Sequence, residues 1–294
     1  MKISRPCSVL RAAPFRPSVL LLGLWLGLLP AAAQAPSQAR IEAASYLVED
    51  AARSLAMGYT DSAQASISSA LSLYPTSSDA YYLAALVLEA QKAPLASILD
   101  CLERSVAHGS FSRYKREQVL LAFASALART GQSQRALSIL STMADKPDVL
   151  YLRTIAYLKA GDLRSAKSIV ALATNRYPSD ARPAIAYLAS ASPRFSDRSD
   201  RELIDTLMRN LPVLKDSDPS ILLYLAPYAA SLEQSRYMVR EYRAMFGSSA
   251  LATLLALRFG VISELQAASE PFSGRYVPEQ AILIELQSAI SSPE

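Results

Sequence analysis

Thr130-Gly-Gln-Ser-Gln-Arg-Ala136 and Ala160-Gly-Asp-Leu-Arg-Ser-Ala166 decide how this 294-residue chain is read. Each sets an alanine five residues after a glycine, and the second begins 30 residues after the first. A further copy lies upstream. Gly58, Ala63, Ala70 and Pro75 stand at the same offsets as Gly161, Ala166, Ala173 and Pro178, and both copies end in Tyr-Pro. The glycine supplies the positive φ that ends a helix in a tight turn. Small alanines let a second helix pack closely on the first, and the proline stops it. The unit is helix, turn, helix, stop, and self-similarity at this period predicts stacked helical hairpins.

These positions resemble the tetratricopeptide-repeat (TPR) family, in an exported bacterial form. Its 34-residue motif places Gly or Ala at the eighth position, Ala at the twentieth and twenty-seventh, and Pro at the thirty-second. Residues 44–77 match at Ala51, Ala63, Ala70 and Pro75, and residues 147–180 at Ala166, Ala173 and Pro178. Residues 117–148 form a shortened copy with Met143 at the second alanine position. Residues 78–109 fit least: they lack the turn glycine, carry Pro94 at the turn, and align Ser105 to an alanine position only after a one-residue insertion. The resemblance implies an α-solenoid and a concave groove lined by the second, fifth, ninth and twelfth residues of each first helix. Those are Asp79, Tyr82, Leu86 and Glu89; Gln118, Leu121, Ser125 and Ala128; and Asp148, Tyr151, Ile155 and Leu158. The first repeat contributes Ser45, Val48, Ala52 and Leu55. Such a groove is apolar with a few tyrosines and hardly any cation, unlike the Lys/Asn clamp with which some family members hold a carboxylate terminus. It implies a protein partner or, alternatively, a small hydrophobic ligand carried among the same side chains.

With nine glycines and no alternating β-branched runs, the chain reads as all-α. Helices are expected over 38–57, from Thr60 or Asp61 to Tyr74, and over 79–91, 95–107, 112–129, 133–144, 149–159 and 163–176, with Asp162 as a cap. Beyond Asp180 the motif fades. Residues 183–190 form a short helix, and 192–198 a domain boundary or irregular turn. Ser199 with Glu202 makes a capping box for 200–211, and Asp218-Pro219 starts a helix to Ser231 that Pro227 kinks. Further helices are expected over 233–246, 249–258, 261–268 and 278–290. Residues 36–180 are thus TPR-like, and 181–294 either continue as diverged repeats or form a separate helical domain.

Residues 1–35 read as a secretory signal. Lys2, Arg5, Arg11 and Arg16 precede an apolar run from Val19 to Leu29, a breaker at Pro30, and an Ala33-Gln34-Ala35 site for cleavage after Ala35 or Ala33. That run covers only about 16 Å as a helix against roughly 30 Å of hydrocarbon, so it does not suit a spanning anchor. Those four basic residues account for the whole formal charge of +4. The chain without them is neutral, with no basic surplus for nucleic acid. The expected location is the periplasm or beyond. Cys101 is the one cysteine left after the signal, so no internal disulfide is available there.

Chemistry is not visible in the sequence. The single histidine, His108, lies about 10 Å along a helix from Cys101, too far for the roughly 3 Å contact of a proton-transfer dyad. One His and one Cys do not make a zinc sphere without converging carboxylates. No phosphate-binding glycine loop or nucleophile elbow occurs. The reading is a non-enzymatic scaffold without metal or cofactor.

Overall fold

The computed structural model describes residues 36–191, 193, 197–263 and 266. The expected signal, the helix over 278–290 and half of that over 261–268 lie outside the described residues, as does most of the expected turn over 192–198; residues 261–263, expected to be helical, are not helical.

Thirteen α-helices and no strand occur among the described residues. Four hairpins open the array: α1 (Gln38–Ala56) with α2 (Thr60–Leu73), α3 (Ser78–Ala90) with α4 (Leu95–His108), α5 (Arg116–Arg129) with α6 (Ser133–Leu140), and α7 (Pro147–Lys159) with α8 (Leu163–Arg176). Then follow α9 (Arg182–Ala191), α10 (Arg198–Ser217), α11 (Ile221–Leu225), α12 (Leu232–Phe246) and α13 (Ala250–Arg258). First helices stack on first helices: α1 meets α3, α5 meets α7, α7 meets α9 and α9 meets α11. The chain is an α-solenoid of stacked antiparallel hairpins.

The repeated residues sit where their size and backbone demand. Ala51, Ala63, Ala70, Ala124, Ala136 and Ala166 have no solvent exposure, so each marks a close helix approach. Ser105, in the poorly fitting copy, is also fully buried; its Oγ donates to the Ser78 carbonyl at 2.8 Å. A serine therefore fills the alanine position with its hydroxyl satisfied. Gly58, Gly131 and Gly161 have φ of +82°, +79° and +74°. In each turn the amide after the glycine donates back to a carbonyl of the last helical turn at 2.9 Å: Tyr59 to Ser54, Gln132 to Leu127 and Asp162 to Tyr157.

The copy without a turn glycine makes the same turn with Lys92, at φ +55°, and Ala93 donates to Leu88 at the same 2.9 Å. An L side chain in this left-handed region costs roughly 1–2 kcal/mol, part of which glycine returns as unfolded-chain entropy. Lys92→Gly should therefore stabilise the protein by about 0.5–1 kcal/mol, read as a rise in urea midpoint at constant slope.

Several boundaries differ from expectation for local reasons. Thr60 is the first residue of α2, and the preceding Tyr59 offers no side-chain cap. The helix expected from Ser112 starts at Arg116, because residues 112–114 are bound by Asp79. The helix expected to reach Ala144 stops at Leu140, and the Arg153 guanidinium from α7 accepts the task of satisfying its end, donating to the Leu140 and Met143 carbonyls. Asp197, not Ser199, caps α10, and that helix runs through Pro212 to Ser217. Asp218 binds the Ser220 amide and hydroxyl ahead of a helix of five residues, and the chain passes into a 3-10 turn at Pro227.

One apolar cluster runs from Ile155 and Ala166 through Leu207 and Tyr242 to Ala256. The repeats and the described part of the C-terminal region therefore share a continuous core from α7 to α13.

Candidate partner-binding face

The expected groove residues lie on α1, α3, α5 and α7, but they differ in access. Leu86, Leu121, Ser125, Tyr151 and Leu158 are half-buried, and Glu89, Gln118 and Asp148 are exposed. Asp79, Tyr82, Ile155 and Ala128 are buried and offer no open surface; Val48 on α1 is likewise buried. Tyr82 is covered by Tyr114, whose ring meets it edge-on at 4.7 Å. Burial pushes the Tyr82 hydroxyl up from its ordinary pKa. Ile155 is covered within the cluster that α9 and later helices build.

Among the described residues, depressions open on this face at three places. The largest, of about 210 Å³, joins Gln118, Leu121 and Asp148 to Met143 and Val149 between Lys115 and Lys146. A second of about 60 Å³ joins Leu86, Glu89 and Ser125 to Ile98 and Arg129. The third, of about 30 Å³, lies between Ser45 and Val48 of α1 and Arg113. Tyr151 and Leu158 line none of these three.

The face is more cationic than its own lining positions indicate. Arg129 pairs with Glu89 at 2.5 Å, Lys146 with Glu117 at 2.8 Å, and Arg182 with Asp148 at 2.8 Å. Arg182 also lies over the Tyr151 ring, 5.2 Å from its centroid. Its hydrogen bond to Asp180, and then that to Asp148, hold its guanidinium pKa above the ordinary value. These cations come from positions outside the repeat's groove offsets, which is why the expectation of hardly any cation fails. Exposed pairs of this kind contribute little to stability. Their effect is on which partner charges are tolerated.

Asp79 has a different role from the one its offset suggests. Its carboxylate is 4% exposed and accepts from the Ser112 amide at 2.9 Å, the Ser112 hydroxyl at 2.6 Å, the Arg113 amide at 3.0 Å and the Tyr114 amide at 3.2 Å. It fastens the α4–α5 loop to the start of α3. No short-range pattern reports this, because the donors lie 33 to 35 residues away.

Reactive groups elsewhere are engaged in packing. Cys101 is half-buried among apolar neighbours, and burial pushes its thiol pKa up, which disfavours the thiolate. His108 stacks on Tyr81 at 5.6 Å. Among the described residues no cluster of three or more His, Cys, Asp or Glu could hold a metal ion, and no helix is long and apolar enough to cross a membrane. A larger cavity of about 450 Å³ lies by α8 and α10, where Lys167 donates to Ser199 at 2.5 Å and Asp200 at 2.7 Å. That lysine ties the two helices together.

This arrangement of hairpins defines the class. The fold is that of the tetratricopeptide-repeat proteins. A TPR protein from Parabacteroides merdae superposes with a TM-score of 0.55 at 14% identity, covering 85% of this chain and all of its own. The Pseudomonas aeruginosa pilF structure also superposes at 0.55, with 15% identity over 75% of this chain and all of its own. An uncharacterized protein of Treponema pallidum (strain Nichols) is 26% identical over 242 residues, which is 82% of this chain and 31% of the relative. The chain thus spans less than a third of that relative's length. No family model matches the chain.

Proposed function

We propose that this chain is an exported, non-enzymatic scaffold that holds a segment of a partner protein along the face formed by α3, α5 and α7. The observation that carries the reading is the line of half-buried side chains, Leu86, Leu121 and Tyr151, on successive first helices. Tyrosine and leucine anchors flanked by polar groups are what a protein interface concentrates. The depressions favour this over a carrier of small hydrophobic molecules. At about 210 Å³ the largest on this face falls below the roughly 300–1,000 Å³ of enclosed ligand pockets. The larger cavity by α8 and α10 is lined by Lys167, Asp197 and Asp200, which suits no hydrophobic ligand.

Export rests on the basic, apolar and Ala-Gln-Ala order of residues 1–35. Cell fractionation should recover a shortened chain outside the cytoplasm, with its new terminus after Ala33 or Ala35. A full-length cytoplasmic chain would remove the export part and leave the binding face untouched. Extraction of the purified protein with organic solvent should release no stoichiometric lipid; recovering one would favour the carrier.

A further inference from the structure

The connection between α4 and α5 carries a concentration of charge that no ion pair among the described residues uses, although the Arg113 guanidinium lies 5.9 Å from the Tyr114 ring centroid. Residues 109–115 are Gly-Ser-Phe-Ser-Arg-Tyr-Lys, and Arg116 opens α5. Arg113, Lys115 and Arg116 are all exposed, and none makes an ion pair among the described residues. Lys115 even occupies the N-cap of α5 with no side-chain capping bond, a position where Ser, Thr, Asp or Asn is the stabilising choice and a cation opposes the helix dipole.

The loop that presents these cations is held firmly. Besides the four bonds to Asp79, the Ser110 amide donates to Ser78 Oγ at 3.0 Å, and the Ser110 hydroxyl donates to the Thr76 carbonyl at 3.3 Å. Tyr114 is pinned against Tyr82. A segment ordered before a partner arrives loses little entropy on binding. Its placement is equally specific. Arg113 borders a depression of about 30 Å³ lined mostly by polar groups, Asp79 among them, and Lys115 borders the one of about 210 Å³ floored by Leu121, Met143 and Val149. The cations thus stand beside one apolar hollow.

We infer that this loop is the specificity element of the proposed partner-binding face, and that it selects a protein segment bearing acidic residues next to an apolar side chain. The inference rests on the partner-binding reading above and adds the partner's chemistry. The apolar side chain occupies the hollow over Leu121, and the carboxylates meet Arg113, Lys115 and Arg116. Complementary charge of this kind sets association rate and partner choice. An anionic membrane is the less suitable occupant, because the cations sit beside a recess that a flat lipid surface leaves empty.

Selection of a random linear peptide library on the immobilised full chain tests this. The expected result is an enriched pattern of acidic residues next to a Leu, Ile, Met or aromatic side chain. Affinity should weaken with added salt and fall about tenfold or more in the triple variant Arg113→Glu, Lys115→Glu, Arg116→Glu. All three side chains are exposed, so the melting temperature should hold; if it does not, Lys115→Glu alone gives the same reading with a smaller fall. Enriched peptides that bind wild type and charge-reversed protein alike, yet are lost on Leu121→Arg, would overturn the loop's role and keep the binding face. A selection that enriches nothing would overturn both. Phosphatidylglycerol vesicles bound by the wild type and released by the triple variant, with no acidic peptide enriched, would assign these cations to a membrane and sink the inference.

Discussion

Asp79→Ala should destabilise the protein by about 3–5 kcal/mol, the largest effect of any single polar substitution on this face. The alanine removes one carboxylate but leaves four donors unmatched, three of them backbone amides in the part-buried seam between the loop and α3. Hydrogen bonds to a charged acceptor are worth roughly 1.5–3 kcal/mol each, and leaving part-buried donors unmatched adds a partial desolvation cost. They are not additive, because the freed loop regains entropy, so the estimate stays well below their sum. Asp79→Asn should cost less, about 1–2 kcal/mol, since one oxygen still accepts while the amide nitrogen faces a donor. Chemical denaturation read by circular dichroism measures both. Equal stability of wild type and Asp79→Ala would show that the loop is not fastened as described.

Ala166→Leu should cost about 2–3 kcal/mol. Ala166 is fully buried in the same cluster as Ile155 and Val170, on α8, which packs against α7. A branched three-carbon extension there forces the helices apart or the neighbours off their rotamers, which typically costs 1–3 kcal/mol. Because the cluster continues to Ala256, the separation propagates to the packing of the C-terminal helices. Ala136→Leu should behave alike, since Ala136 is also without exposure. Melting temperatures at the wild-type value would mean that the repeat register is wrong.

These two residues also show where the sequence was legible. Ala166 could be placed from its five-residue distance to Gly161, because helix length, turn conformation and close approach are all local constraints that leave a local record. Lys92 kept the turn geometry while erasing its sign, and Ser105 kept the packing position with a hydroxyl that finds a carbonyl. Asp79 was legible only as an offset in a motif. Its real partners arrive from the next repeat, and the same bonds move the start of α5 from Ser112 to Arg116. Arg153 ended α6 in the same long-range way. Tyr82 and Ile155 shared groove offsets with Leu86 and Tyr151, yet neighbouring elements cover them. Offsets specify which side of a helix a residue occupies; what covers that side depends on elements far along the chain.

The charge of the face was misread for a related reason. The groove offsets on α3, α5 and α7 contain no Lys or Arg, but Lys115, Arg129, Lys146 and Arg182 reach the same surface from helix ends. Helix termini and connections lie outside a periodic pattern, so a periodic reading omits them.

The proposed occupant of this face is a protein. A photoreactive amino acid placed at Leu121, the half-buried floor of the largest depression on the face, tests it in intact cells. Irradiation followed by mass spectrometry should give one dominant protein adduct, absent when the same probe stands at exposed Leu254 on α13. Adducts to lipid alone, or an identical set of adducts from both positions, would contradict the account.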